Sequence, residues 1–265
     1  MRRLTLIYFA FPLVLFTAEI DTVLVYSQAM QKEAPVVIIM PDSYQSDTDL
    51  FPVVYLLHGH SGNHLDWISN MDVGAAADRY GFIIVCPDGG YDSWYLDSPT
   101  DNESQYETLV AVELVQWIDS NYRTIRSKKG RAITGLSMGG HGAIYLAIRH
   151  PDNYGAAGSM SGVFDLNQAS SKYDILKKLG ASNENPGILA KHSVVNLIDQ
   201  LTENSLAILI ECGVDDRFLA GNRKAHSIML EKGVRHDYIE RPGGHTWDYW
   251  VNVLEYHLLF FKKSL

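Results

Sequence analysis

Gly135-Leu136-Ser137-Met138-Gly139 is the stretch that decides how this chain reads. It has the form G-x-S-x-G. It follows a short apolar run at 131–134 and opens a helical run at 140–149. In strand–turn–helix context, a serine in this pattern sits on a strained turn that lifts its hydroxyl clear of the backbone. The flanking glycines fit where a Cβ would strike the neighbouring strand or helix. The pattern alone is weak, so its setting and its partners carry the reading.

Working outward, apolar runs alternate with helical patterns. Candidate strands are 22–26, 35–40, 53–57, 82–86, 131–134, 156–159, 207–211 and 235–240. Several are continuous rather than alternating, as in a sheet covered on both faces. Candidate helices are 73–80, 106–121, 140–149, 194–201, 222–232 and 246–261. The first two strands lie close together and predict a hairpin with 31–34 as its turn. Helices separate the later strands, which predicts parallel pairing. The expected fold is α/β: a mostly parallel central sheet of about eight strands with helices on both faces. In such sheets ligands meet the carboxyl ends of the strands. Residues 162–192 show little periodicity and read as a small excursion forming a lid or pocket wall.

A serine on such a turn acts on an ester only with a base, an orienter for that base, and donors for the oxyanion. The acid is expected after a late strand, where Glu211-Cys212-Gly213-Val214-Asp215-Asp216 ends the strongest one. Asp215 and Asp216 both stand there, and Asp165, after the sixth strand, is a rarer alternative. The base is expected after the last strand, where Arg241-Pro242-Gly243-Gly244-His245 precedes the final helix. The order serine, aspartate, histidine is that of α/β-hydrolases and of neither chymotrypsin nor subtilisin. One oxyanion donor is the N–H of Met138, helped by the helix start. The other is expected from the loop after the third strand, Leu57-His58-Gly59-His60. There Gly59 lets the backbone approach substrate and His60 offers its N–H.

Further motifs occur in order: Leu56-Leu57-His58-Gly59 with Trp67, Pro87-Asp88-Gly89, Ser93-Trp94-Tyr95 with Asp97-Ser98, Cys212-Gly213-x-x-Asp216 and Gly243-Gly244-His245. Together with the serine motif, they make residues 20–262 resemble the esterase D superfamily of α/β-hydrolases. That group holds tributyrin esterases, S-formylglutathione hydrolases, feruloyl and acetyl-xylan esterases and mycolyltransferases. The resemblance implies Ser137 as nucleophile, Asp216 as acid, His245 as base, and His60 and Met138 as oxyanion donors. Residues 93–98 look most like the tributyrin and carbohydrate-esterase branches. The nucleophile context differs from that of the S-formylglutathione hydrolases.

The expected activity is therefore a serine carboxylesterase acting on short-chain or carbohydrate-linked esters of acetyl or feruloyl type, without a cofactor. Three alternatives stay open: acyl transfer to a sugar or other alcohol, a non-catalytic carbohydrate-binding protein on the same scaffold, and a serine peptidase. Gly59, Trp94, Tyr95 and Trp247 are candidate substrate contacts; Trp250 and Tyr249 read as core or surface aromatics. His58, His60 and His64, spaced H-x-H-x-x-x-H, fit no dinuclear hydrolase pattern, and no metal is expected. His141, four residues after Ser137, reads as a buried histidine beneath the site. Glu107 reads as a carboxylate complementing a helix start.

Composition bounds the rest. With 265 residues, 46% of them hydrophobic, the chain can build one large core. A net charge of −9 with no long basic block argues against a nucleic-acid partner. Cys86 and Cys212 each end an apolar run and read as buried free thiols, with a disulfide as the minority reading. Arg2 and Arg3 precede a continuous apolar run at 4–16. That run reads as a targeting segment covering 1–18, too short for a comfortable membrane span. An uncleaved anchor or a first strand are its alternatives. The remainder, 19–265, reads as a single domain, exported and possibly homo-oligomeric.

Overall fold

The computed structural model describes residues 17–46, 48–169, 172–180, 187–201 and 206–265, so the apolar run at 4–16 and the span 181–186 lie outside the described residues. No described helix is long and apolar enough to cross a membrane. Eight strands form one sheet: β1 (Glu19–Ser27), β2 (Lys32–Met40), β3 (Val53–Leu57), β4 (Ile83–Pro87), β5 (Arg131–Gly135), β6 (Ala156–Met160), β7 (Ala207–Gly213) and β8 (Asp237–Arg241). Their spatial order is β1-β2-β4-β3-β5-β6-β7-β8. The pairs β1/β2 and β2/β4 are antiparallel, and every other pair is parallel. This is the mostly parallel sheet that the alternation of runs implies, with the antiparallel pairs confined to one end.

The described helices are α1 (Ser43–Ser46), α2 (Asp66–Asn70), α3 (Val73–Tyr80), α4 (Tyr106–Thr108), α5 (Leu114–Asn121), α6 (Met138–Arg149), α7 (Ile175–Lys178), α8 (Ile188–His192), α9 (Leu219–Glu231) and α10 (Trp247–Ser264). The continuous apolar strands feed two cores, because successive side chains point to opposite faces. Val53, Tyr55, Ile83, Val85 and Ile133 pack with α5, α6 and α9. Val54, Leu56, Ile84, Cys86 and Ala132 pack with α3 and α10. Both cysteines are buried and unpaired.

Three local expectations need correction. The first hairpin turns at 28–31, not 31–34: Met30 N–H donates to Ser27 Oγ (3.1 Å) and Gln31 takes φ +53°. β2 therefore begins at Lys32 and buries Ala34. The helix expected over 106–121 is broken by a π-helical stretch at Leu109–Glu113. A regular 3.6-residue period cannot bury Leu109, Val110 and Ala111 together with Leu114, Val115 and Ile118. The wider turn shifts the phase and brings both sets to the core. The helix expected over 194–201 is two 3₁₀ turns, Val194–Asn196 and Ile198–Gln200. There Val195 N–H donates to Phe164 C=O (3.2 Å) instead of continuing a helical ladder.

Candidate active site

Ser137 stands between β5 and α6, at the carboxyl edge of the sheet. Its backbone takes φ +55° and ψ −114°, a conformation that costs a residue with a side chain about 1–3 kcal/mol. The turn is held there from outside: Ser137 N–H donates to Met160 C=O (2.9 Å) and Leu136 N–H to Leu57 C=O (3.3 Å). The glycine of the motif is a steric necessity. A Cβ on Gly139 would lie 2.5 Å from the His58 carbonyl oxygen and 2.7 Å from that of Leu57. Because α6 approaches β3 this closely, the strain at Ser137 has no easy outlet.

His245 arrives on the loop between β8 and α10. Its Nε2 is 2.9 Å from Ser137 Oγ, and its Nδ1 is 2.8 Å from Asp216 Oδ2. Phe218 and Trp250 pack edge-on against the imidazole, with ring centroids at 5.1 and 4.8 Å. Asp216 lies in the turn after β7, and its Oδ1 accepts from Phe218 N–H (2.8 Å). Burial alone would raise the Asp216 carboxyl. The hydrogen bond and charge of His245, with the Phe218 amide, outweigh burial and hold it below its ordinary value. An ionised Asp216 leaves the proton on Nδ1, which frees Nε2 to accept from the serine hydroxyl. Asp215 is exposed beside it, and Asp165 pairs instead with Lys224 (3.1 Å). Of the three acids weighed, Asp216 is the one the fold brings to His245.

The two loops carrying acid and base are laced together. Val214 N–H donates to Arg241 C=O (2.8 Å) and Asp215 N–H to Gly243 C=O (2.9 Å). Behind them, Glu211 on β7 receives Arg241 Nε from β8.

Met138 opens α6, so its N–H has no intrahelical acceptor. Neither it nor His60 N–H donates to another group among the described residues. The His60 loop lies against the serine turn: a Cβ on Gly59 would stand 2.6 Å from Leu136 Cδ1 and 3.6 Å from Ser137 Cβ. That loop is anchored by Ser61 N–H to Tyr91 C=O (2.7 Å) and by the His58 ring, whose Nε2 accepts from Gly89 N–H (2.8 Å). The His60 ring sits between Tyr91 and Tyr173, both at 5.0 Å, and burial pulls its pKa down. Among the described residues no three His, Cys, Asp or Glu side chains are grouped to hold a metal.

A cavity of about 450 Å³ opens over Ser137 and His245. Gly59, His60, Asp66, Tyr173, Arg217, Trp247 and Trp250 contribute to its wall. Gly59 and Trp247 are thus on the wall, as the sequence reading has them. Trp94 and Tyr95 are not, and this corrects the reading that placed them there. Both are buried. Trp94 Nε1 donates to Tyr173 C=O (3.3 Å), and Tyr95 OH to His58 C=O (3.1 Å). The Tyr95 ring is wedged against Gly89 and Gly142, where any Cβ would meet it within 2.5 Å. These aromatics support the wall from behind. His141 also lies behind it, fully buried, its Nε2 2.9 Å from His192 C=O and its pKa brought down to about 4 by burial. Glu107 is remote and structural: it accepts from Arg149 Nε (2.7 Å) and Tyr145 OH (3.1 Å), tying α4 to α6.

Sequence reasoning missed Asp66, Tyr173 and Arg217. Tyr173 falls within the 162–192 excursion expected to form a pocket wall, yet no local pattern singles it out. Arg217 directly follows Asp216, and that adjacency was the one available signal.

Comparison with known proteins agrees with this architecture. An acetyl esterase of Caldicellulosiruptor saccharolyticus is 26% identical over 245 residues, covering 85% of this chain and 91% of the relative. A diacylglycerol acyltransferase/mycolyltransferase of Mycobacterium tuberculosis, Ag85A, is 27% identical over 247 residues, covering 78% and 72%. A solved ferulic acid esterase superposes with a TM-score of 0.81 at 28% identity, covering 94% of this chain and 99% of its own. The Esterase family model matches residues 27–261, from the end of β1 into the last helix. The chain belongs to this Esterase family.

Proposed function

We propose that this chain is a serine carboxylesterase that turns over through an acyl-enzyme on Ser137, acting on short-chain or carbohydrate-linked esters of acetyl or feruloyl type. One observation carries the reading: Ser137 Oγ, His245 and Asp216 stand in one hydrogen-bonded chain, at 2.9 and 2.8 Å, on the floor of an open cavity. The esterase relatives support the reaction class, and the names of two of them support the acyl groups.

In this mechanism His245 Nε2 takes the hydroxyl proton as Ser137 Oγ attacks the ester carbonyl carbon. The carbonyl oxygen becomes an oxyanion held by the N–H groups of Met138 and His60. Collapse breaks the carbon–oxygen bond to the alcohol, which leaves with the proton from His245. Water then attacks the acyl-enzyme, gives its proton to His245, and the acid departs as Ser137 recovers its hydrogen. Asp216 keeps the imidazole in the productive tautomer and stabilises its cationic form. Each oxyanion donor in such a site is worth about 2.7–4 kcal/mol.

The test is Ser137→Ala, which should abolish hydrolysis of p-nitrophenyl acetate and labelling by a fluorophosphonate while leaving the fold intact. Undiminished turnover would end the proposal. A second reading, acyl transfer to an alcohol, is favoured by the mycolyltransferase relative. Product analysis with glycerol or trehalose present separates ester product from free acid. The reading also includes export, on the strength of Arg2-Arg3 and the apolar run at 4–16. N-terminal sequencing of secreted protein tests that.

A further inference from the structure

Among the described residues, Arg217 is the one permanent cation on the wall of the Ser137 cavity. Most other arginines whose contacts are described are ion-paired, and Arg126 and Arg235, which are not, lie away from this cavity. Arg79, Arg131, Arg149, Arg223 and Arg241 each face a carboxylate. Among the described residues Arg217 has no ion pair. Its recorded contact is with a ring: its Cζ lies 5.2 Å from the centroid of Phe218, which itself packs edge-on against His245. A guanidinium so placed is oriented from below and keeps its fork of donors free. The cavity's acidic residue does not neutralise it. The Asp66 carboxylate folds back over its own loop, with an oxygen 2.1 Å from where a Cβ on Gly62 would stand. The molecule as a whole carries 31 acidic against 22 basic side chains, so its general field repels anions. An unpaired cation on the wall of the nucleophile's cavity runs against that field.

We propose that Arg217 is a specificity-determining residue that selects esters carrying an anionic group, a carboxylate above all, on the acyl or the alcohol side. This rests on the ester-hydrolase reading and narrows it. Guanidinium and carboxylate match in a bidentate geometry that an ammonium does not reproduce. The selectivity therefore belongs to the arginine and not to positive charge in general, and added salt weakens it.

The experiment uses two matched ester pairs. In the first, 4-nitrophenyl hemisuccinate is set against 4-nitrophenyl butyrate, which places the charge on the acyl group. In the second, 4-acetoxybenzoate is set against its methyl ester, which places it on the alcohol. The ratio of kcat/KM, charged over neutral, is measured for wild type, R217K, R217A and R217E, each checked for an unchanged thermal midpoint. We expect R217E to lower the ratio at least tenfold in one pair, with R217K intermediate. A fall smaller than fivefold in both pairs overturns the inference. If wild type leaves all four esters untouched, the hydrolase reading fails instead. Calorimetric binding of 4-acetoxybenzoate then decides the matter: at least fivefold weaker binding to R217E sustains the role of Arg217, and any smaller change overturns it.

Discussion

Two adjacent aspartates show how narrowly chemistry is assigned within this fold. Asp216 is buried, receives the Phe218 amide and lies 2.8 Å from His245 Nδ1; Asp215 is exposed. Only the former can hold the imidazole in the tautomer that leaves Nε2 as acceptor. Asp216→Asn would offer an amide in place of a charged acceptor and favour the wrong tautomer. It is expected to lower kcat by about 10⁴, as the same change of the orienting acid does in such triads. Asp215→Asn should stay close to wild type. Steady-state kinetics on p-nitrophenyl acetate compares them directly, and equal losses would remove Asp216 from its role. The choice was open to sequence through the resemblance, since Cys212-Gly213-x-x-Asp216 matches the family's motif and a neighbouring aspartate faces the other way. No such rule reaches Tyr173. It meets His60 only because the chain returns across more than a hundred positions.

At the scale of elements, the strands were legible and the helices less so. A central parallel strand must be apolar on both faces, and that requirement leaves a continuous run at 53–57 or 131–134 with few other readings. A helix needs phase as well as composition. The inserted π turn at Leu109–Glu113 and the stolen N–H of Val195 are both tertiary effects that periodicity cannot register. Nor does sequence alone reveal the join between β7 and β8. Glu211, with no side-chain exposure, accepts from Arg241 across that join. Burial pushes the Glu211 carboxyl up to about 7, although Arg241 pulls the other way. A raised carboxyl favours the protonated folded state. Its contribution to stability is complete below the unfolded value of about 4.3 and is lost as pH rises through the folded one. Glu211→Gln cannot ionise and should be free of this loss. Between about pH 4 and pH 8 wild type should lose stability relative to Glu211→Gln, by at most about 3 kcal/mol at 1.36 kcal/mol per pKa unit. Urea denaturation midpoints at the two pH values measure it, and parallel behaviour of the two proteins would contradict it.

Across the whole molecule, the sheet is not equally guarded at its two ends, and the cysteines are placed to report the difference. Cys86 lies on β4, flanked by β2 and β3, which are buried along most of their length. Cys212 lies on β7, whose outer neighbour β8 has no fully buried residue. Burial raises both thiol pKa values, so neither forms the reactive thiolate while the fold is closed. Labelling therefore requires opening, and local opening begins where few apolar contacts hold an element down. Release of β8 uncovers β7, whereas exposing β4 demands loss of the β1/β2 hairpin and the α3 layer behind it. In native buffer N-ethylmaleimide should leave both thiols unmodified. In urea below the main transition, Cys212 should be modified before Cys86, as followed by peptide mass spectrometry. Because the β7–β8 end also carries Asp216 and His245, activity should fall in step with modification of Cys212. Cys86 reacting first, or full activity after Cys212 is modified, would show that the sheet opens from the hairpin end instead.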